Sequence, residues 1–202
     1  RACVALKWRR GDSEGGVRRV ATGAYLKRDE EIPEGTVFDE LGVEFFFKDD
    51  ARHDPLMLWH EDGHFELHHP KKPVGLEQYE NLTPEDILEG GTRAMFEDEY
   101  MPYQKATAIQ VFETLEKAWA QLGATLVDFK IEFGLHRVDG RDRIFLGDVI
   151  DNDSWRLWPG GDKAQRMDKD NYRELAESAE SALADVKKKY AWVAAASSRF
   201  VE

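Results

Sequence analysis

The period of apolar positions changes several times along the chain, and each change marks an element. "CVALKWR" (Cys3–Arg9) alternates as a strand does, and the Gly/Ser-rich "GDSEGG" after it predicts a turn. "VRRVATGAYLKR" (Val17–Arg28) predicts a strand, a break at Gly23 and a short element beyond. "GVEFFFKDD" (Gly42–Asp50) is a continuous aromatic run, the pattern of a buried strand. Residues 51–83 keep no period and are rich in His, Pro, Gly and charge, which predicts a long excursion with a hairpin in it. Thr83 followed by Pro84, Glu85 and Asp86 predicts a short capped helix.

The period then becomes helical. Ala108, Val111, Phe112, Leu115, Ala118, Trp119 and Leu122 recur three and four apart, predicting a helix from about Gln104 to Leu122 that stops at Gly123. Leu175, Ala179, Ala182, Val186, Tyr190 and Val193 make a second stripe over Asp168–Ala195. Between them, "TLVDFKIEFG" (Thr125–Gly134) and "IFLGDVI" (Ile144–Ile150) read as strands joined by a turn at Asp139-Gly140. The pattern is α+β in a single domain, residues 1–202, without repeats.

Composition narrows the function. At 202 residues and 42% hydrophobic, the chain can build a sizeable core. Its net charge of -12 argues against general nucleic-acid or anionic-membrane binding, because the long-range field repels phosphate. An anionic small molecule would need local Arg and Lys groups or a bound cation. Cys3 is the only cysteine, which excludes an intrachain disulfide and fits a reducing, cytoplasmic setting. No apolar run reaches the roughly 18 residues of a membrane span. The chain does not start with Met and is expected to begin inside a longer polypeptide.

The candidate chemistry lies on the strand pair. In "TLVDFKIEFG", Thr125, Val127, Phe129, Ile131 and Phe133 share an apolar face, while Asp128, Lys130 and Glu132 share the other. A turn at Asp139-Gly140 brings Glu132 opposite Gly147 or Asp148. Opposed carboxylates repel unless a cation lies between them, and Mg²⁺ favours one or two carboxylates plus substrate phosphates. Lys130, on the same face, is placed to meet a phosphate. The alternative is a solvated sheet face laced with ion pairs. In "DNDSWRLWPGGDK", Arg156 sits between Trp155 and Trp158, either as a bidentate anion ligand or as a surface Arg beside core-edge tryptophans. Lys169 and Arg173, i and i+4, either converge on one anion or form a solvated helix face. Arg18 and Arg19 fall on opposite faces of an extended segment. "HEDGH" (His60–His64) matches the zinc-peptidase string H-E-x-x-H, which needs a helix. Asp62-Gly63 is instead a turn dipeptide between alternating neighbours, so a surface hairpin is the better reading and adventitious metal binding the next.

The blocks "VRRVATGAYLKR", "VEFFFKDDARHDP", "TLVDFKIEFG", "DVIDNDSWRLWPGGDK" and "MDKDNYRE", in this order, resemble SAICAR synthetase (phosphoribosylaminoimidazole-succinocarboxamide synthase), a ligase of purine biosynthesis. The "DNDSWRLWPGGDK" form is most similar to the bifunctional animal enzyme, which carries a fused carboxylase domain. The resemblance implies an antiparallel sheet flanked by helices. It implies a reaction in which ATP, with Mg²⁺, activates the carboxylate of carboxyaminoimidazole ribonucleotide (CAIR) and the amine of L-aspartate then attacks. It assigns Glu132 and Asp148 to metal and nucleotide, Lys48 to the ATP phosphates, and Asp54 to the substrate. Arg18 and Arg156 would hold the CAIR phosphate, with Lys169 and Arg173 lining the same pocket. Asp128, Lys130 and Asp153 match active-site positions, Lys130 and Asp128 as catalytic residues and Asp153 as an orienter of Arg156. Self-association is implied as well.

Two departures from the family stand out. Ala24 replaces the usual Ser, removing a hydroxyl donor worth about 1 kcal/mol. The family's N-terminal β-rich lobe, whose Gly/Lys loop covers the ATP phosphates, has no counterpart in these residues. The chain is therefore expected to be the central and C-terminal part of a catalytic unit, with little turnover alone. The alternative is an incompetent fragment or relic that keeps the fold as an interaction module.

Overall fold

The computed structural model describes residues 9–61, 64–74, 78–82, 100–168 and 180–201. Two compact units emerge, one from the described residues up to Ile109 with Lys130–Asp148, the other from Gln110–Phe129 with the described residues from Val149 onward. Strand segments Cys3–Trp8, the Thr83 helix and the positions Lys169 and Arg173 lie outside the described residues.

The first unit is a sheet. Its strands are β1 (Arg9–Val20), β2 (Val37–Phe47), β3 (Leu56–Trp59), β4 (Phe65–His68), β5 (Gln78–Leu82), β6 (Ala124–Val138) and β7 (Arg141–Gly147), in the order β5-β4-β3-β2-β1-β6-β7. The pairs β1–β2, β2–β3, β3–β4, β4–β5 and β6–β7 are antiparallel. "GDSEGG" is not a turn, as its composition suggested, but the middle of β1, with Ser13 opposite Phe47 and Gly15 opposite Phe45. The physical reason is close approach: a Cβ on Gly15 would sit 3.3 Å from the Phe45 ring and 3.4 Å from the Phe133 ring. Glycine is there to admit two aromatics, not to bend the chain. The supposed excursion at 51–83 contains β3, β4 and β5, whose short runs (Leu56 and Met57, Phe65 and Leu67) are buried but too brief to show a period. A helix, α1 (Tyr100–Gln121), starts in this unit, and its buried Gln104 accepts a hydrogen bond from Ser13 Oγ at 3.1 Å.

The turn joining β6 to β7 is as the sequence predicts. Asp139 and Gly140 both take positive φ (51° and 78°), the geometry of a tight two-residue hairpin. That turn pairs Val138 with Arg141 and carries the register down to Glu132 opposite Gly147. β7 therefore starts earlier and ends earlier than Ile144–Ile150, because pairing begins immediately after the turn.

The second unit holds the rest of α1, the first residues of β6, β8 (Trp155–Pro159) and α2 (Glu180–Ser197). β8 runs antiparallel to β6, with a register irregularity between Leu126 and Asp128. This bulge resets the alternation, so Leu126 and Val127 are both fully buried although adjacent. α1 ends where Gly123 turns left-handed (φ 72°). Aromatics fill the interior: Trp119 packs on Trp155 (5.6 Å, 76°), Trp192 (6.3 Å, 15°) and Phe200 (4.8 Å, 79°), and Phe112 on Phe129 (5.4 Å, 69°). Among the described residues no helix is long and apolar enough to cross a membrane.

Candidate active site

In the first unit, one face of β1 turns Ser13 and Val17 inward, and the other carries Glu14 and Arg18. Glu14 is buried yet ionisable, a costly placement unless cations meet it. Two do. Lys130 Nζ lies 2.5 Å from one of its oxygens and 4.9 Å from the centroid of Phe46, and Lys48 Nζ lies 3.5 Å from the other oxygen. Lys48 also donates to Asp54 Oδ2 at 2.8 Å. Burial alone would pull the Lys48 ammonium down, but the hydrogen bond to Asp54 and the charges of Glu14, Asp54 and Glu132 outweigh it and raise it above the ordinary lysine value.

Asp54 is fixed on its other oxygen too, accepting from the Asp49 backbone N–H at 2.9 Å. This second anchor matters because His53 and Asp54 both hold positive φ (60° and 53°). Non-glycine residues there store about 1–3 kcal/mol of strain each, and such strain persists where contacts over-determine the backbone. Asp148 shares the feature, with φ 59°, directly after Gly147 stands opposite Glu132. Glu132 is itself 9% exposed. The solvated-face reading of this strand thus fails for Asp128 and Glu132, while the Lys130 side chain is 55% exposed.

Arg18 stands in a second cluster of the same unit. It donates to the Thr22 carbonyl at 3.1 Å, lies 3.9 Å from Glu44 and covers the Tyr25 ring at 5.2 Å. Arg28 pairs with the same Glu44 and donates to the Pro70 carbonyl. One carboxylate thus sits between two guanidiniums, next to the short 3₁₀ turn Gly23–Lys27 that contains Ala24.

In the second unit, Arg156 Nη1 donates to Asp128 Oδ2 at 2.7 Å, and the two are cross-strand neighbours in the β8–β6 register. Asp128 is 6% exposed, so removing the guanidinium would leave a buried carboxylate without its partner at 2.7 Å. Trp155 and Trp158 are both buried, and Trp155 donates from its indole to Asn152 at 3.0 Å. They are packing residues, while Arg156 between them in sequence keeps a side chain 25% exposed. Asp153 accepts the Tyr190 hydroxyl at 2.5 Å; burial first, then the Asp153 carboxylate, push that phenol up to about 12. A mostly apolar cavity of about 700 Å³ opens between α1 and α2, lined by Val111, Leu115, Trp155 and Phe200 among others. Among the described residues, none of the predicted site residues lines it.

The structure therefore gathers Lys48, Asp54, Lys130 and Glu132 in one electrostatic network, with Asp148 beside the Glu132 pairing. It sets Arg18 with Glu44 and Arg28, and Arg156 with Asp128. Lys169 and Arg173 lie outside the described residues. Sequence reasoning missed Glu14, Arg28 and Glu44. Glu14 was hidden by the turn reading of "GDSEGG"; an alternating reading from Ser13 would have exposed it.

The fold is α+β, and its sheet presents lysines, arginines and carboxylates in paired, partly buried positions. Residues 5–190 match the family model SAICAR synthetase, and the chain belongs to that family. It is 42% identical over 174 residues to the phosphoribosylaminoimidazole-succinocarboxamide synthase of Herpetosiphon aurantiacus, covering 86% of this chain and 58% of that protein. It is 42% identical over 177 residues to the human bifunctional phosphoribosylaminoimidazole carboxylase/phosphoribosylaminoimidazole succinocarboxamide synthetase, covering 88% of this chain and 36% of that protein. A solved type-2 SAICAR synthetase in complex with ADP superposes with a TM-score of 0.63 at 26% identity, over 91% of this chain and 64% of the other. The chain thus spans less than two thirds of the length of these relatives.

Proposed function

We propose that the protein joins L-aspartate to the carboxylate of CAIR at the expense of ATP, and that the chain is the central and C-terminal part of the catalytic unit. The observation that carries this reading is the Glu14–Lys48–Asp54–Lys130 network on the face that also holds Glu132. Two ammonium groups held by buried Glu14 and half-buried Asp54 are preorganised for charge that develops on transferring phosphoryl oxygens. The names of the relatives and the ADP bound by a solved family member support the same reading.

In the proposed reaction a carboxylate oxygen of CAIR attacks the γ-phosphorus of ATP and ADP leaves. The amine of aspartate then attacks the activated carbonyl, a proton is lost from nitrogen, and phosphate leaves as the amide forms. Lys48 contacts the nucleotide phosphates, and Asp54 fixes the lysine's direction. Lys130 stabilises the phosphoryl charge, and its position over Phe46 limits its wandering. Glu132 and Asp148 form a donor set that fits Mg²⁺: two carboxylates, one in the strand register and one on a left-handed residue just beyond it. Bound there, Mg²⁺ would neutralise phosphate charge. Arg18 and Arg156 bind the substrate phosphate, Arg156 steered by Asp128, and Asp153, Lys169 and Arg173 complete substrate binding. The human relative's name supports a fused carboxylase in the full-length protein.

The test is ADP release by the full-length gene product, with CAIR and aspartate omitted in turn. Release is expected only with all substrates. Glu132→Gln and Asp148→Asn are each expected to lower kcat by about 10²–10³-fold with unchanged circular dichroism. Full activity in both variants overturns the assignment of the two carboxylates.

A further inference from the structure

The β3–β4 hairpin carries a cluster that the ligase chemistry does not use. The His60 backbone N–H donates to the His64 carbonyl at 2.9 Å, closing the hairpin and setting the two side chains together. Their rings stack with centroids 4.4 Å apart and planes 11° from parallel. Glu66 follows His64 by two residues and so shares its face of β4. Its Oε2 lies 3.6 Å from His60 Nε2, and one ligand atom each from His60, His64 and Glu66 fall within 4.8 Å of one another. Ligand atoms bound at about 2.0–2.1 Å to a tetrahedral ion stand roughly 3.4 Å apart, so small side-chain rotations suffice to close the set on a metal.

Two further observations suit this arrangement. His60 Nε2 is shielded from water and makes no hydrogen bond within 3.5 Å among the described residues, with Glu66 Oε2 facing it at 3.6 Å. On the other side, His68 contacts Glu66 Oε2 at 2.9 Å, the kind of outer contact that orients a ligating carboxylate.

We propose that His60, His64 and Glu66 form a site for a divalent first-row transition cation, zinc foremost, with an open coordination position. Two imidazoles and one carboxylate suit zinc, nickel, copper or iron and not Mg²⁺, so this site is chemically separate from Glu132 and Asp148. The string His60–His64 that looks like a peptidase motif thus acts without a helix: the hairpin, not a helical turn, brings the histidines together, and Glu66 rather than Glu61 is the third ligand. The metal would clamp the hairpin.

The experiment titrates the purified protein with zinc against a chromophoric chelator and follows Co²⁺ absorption for tetrahedral bands. One equivalent of zinc per chain is expected, with a rise in melting temperature. His60→Asn/His64→Asn is expected to abolish both, and Glu66→Gln to weaken binding at least about tenfold. The other histidine pair, His53 and His69, with ring centroids 6.2 Å apart, serves as the control, and its double Asn variant is expected to bind zinc normally. Absence of stoichiometric binding, binding that survives His60→Asn/His64→Asn, or binding lost with His53 and His69 would each overturn the proposal.

Discussion

At the scale of single residues, the charges of this protein act in pairs and threes. Lys48 is held by Asp54 and Glu14, and its raised pKa has a defined consequence. Because the folded value lies above the ordinary one of 10.5, the ion pairs stabilise the fold fully below about pH 10 and lose that contribution as pH rises through the folded value. The stability gap between wild type and Lys48→Met should stay constant from about pH 6 to 9 and shrink above the ordinary lysine value; equilibrium unfolding at each pH reads it. A gap that closes near neutral pH would contradict the network. Asp128 and Arg156 are 8% and 25% exposed at their side chains, so their coupling should survive solvent screening. A double-mutant cycle with Asp128→Ala and Arg156→Ala should give about 0.5–3 kcal/mol of interaction by denaturant unfolding. Additivity would mean that the pair does not hold the arginine.

At the scale of elements, the placement of the sheet's functional face depends on how closely β1 packs. Gly15 lets the rings of Phe45 and Phe133 close over the strand, which keeps Glu14 aligned with Lys48 and Lys130. Gly15→Val should overpack this point and destabilise by about 1–3 kcal/mol, seen as a lower denaturant midpoint with unchanged slope. An unchanged midpoint would show that the rings can move aside. The β6–β7 hairpin was legible because Asp139-Gly140 specifies both turn and register. The bulge at Leu126–Asp128 was not, because nothing in a run of apolar residues marks which one is extra.

At the scale of the whole molecule, the proposed ligase needs nucleotide and substrate groups together, and Ala24 offers a measurable handle. It lies in the 3₁₀ turn beside the Thr22 carbonyl that holds Arg18. Ala24→Ser in the full-length protein should lower KM for CAIR by roughly fivefold, the worth of one added hydrogen bond of about 1 kcal/mol, with kcat little changed. No change in KM would remove this turn from the phosphate site.

What the sequence determined by itself was local or periodic. The helical stripe of α1, its stop at Gly123, the hairpin turn and, to within one residue, the opposition of Glu132 to Gly147 follow from residue spacing and from φ preferences that few residues tolerate. The family was legible too, since its blocks are linear motifs. Only the tertiary structure decided which charges meet. Glu14 reaches Lys130 across more than a hundred residues, Arg156 takes Asp128 as its partner, and Glu66 joins His60 and His64. Those choices depend on strand order and bulges, which are set by how the whole chain buries its apolar surface and not by any short stretch of it.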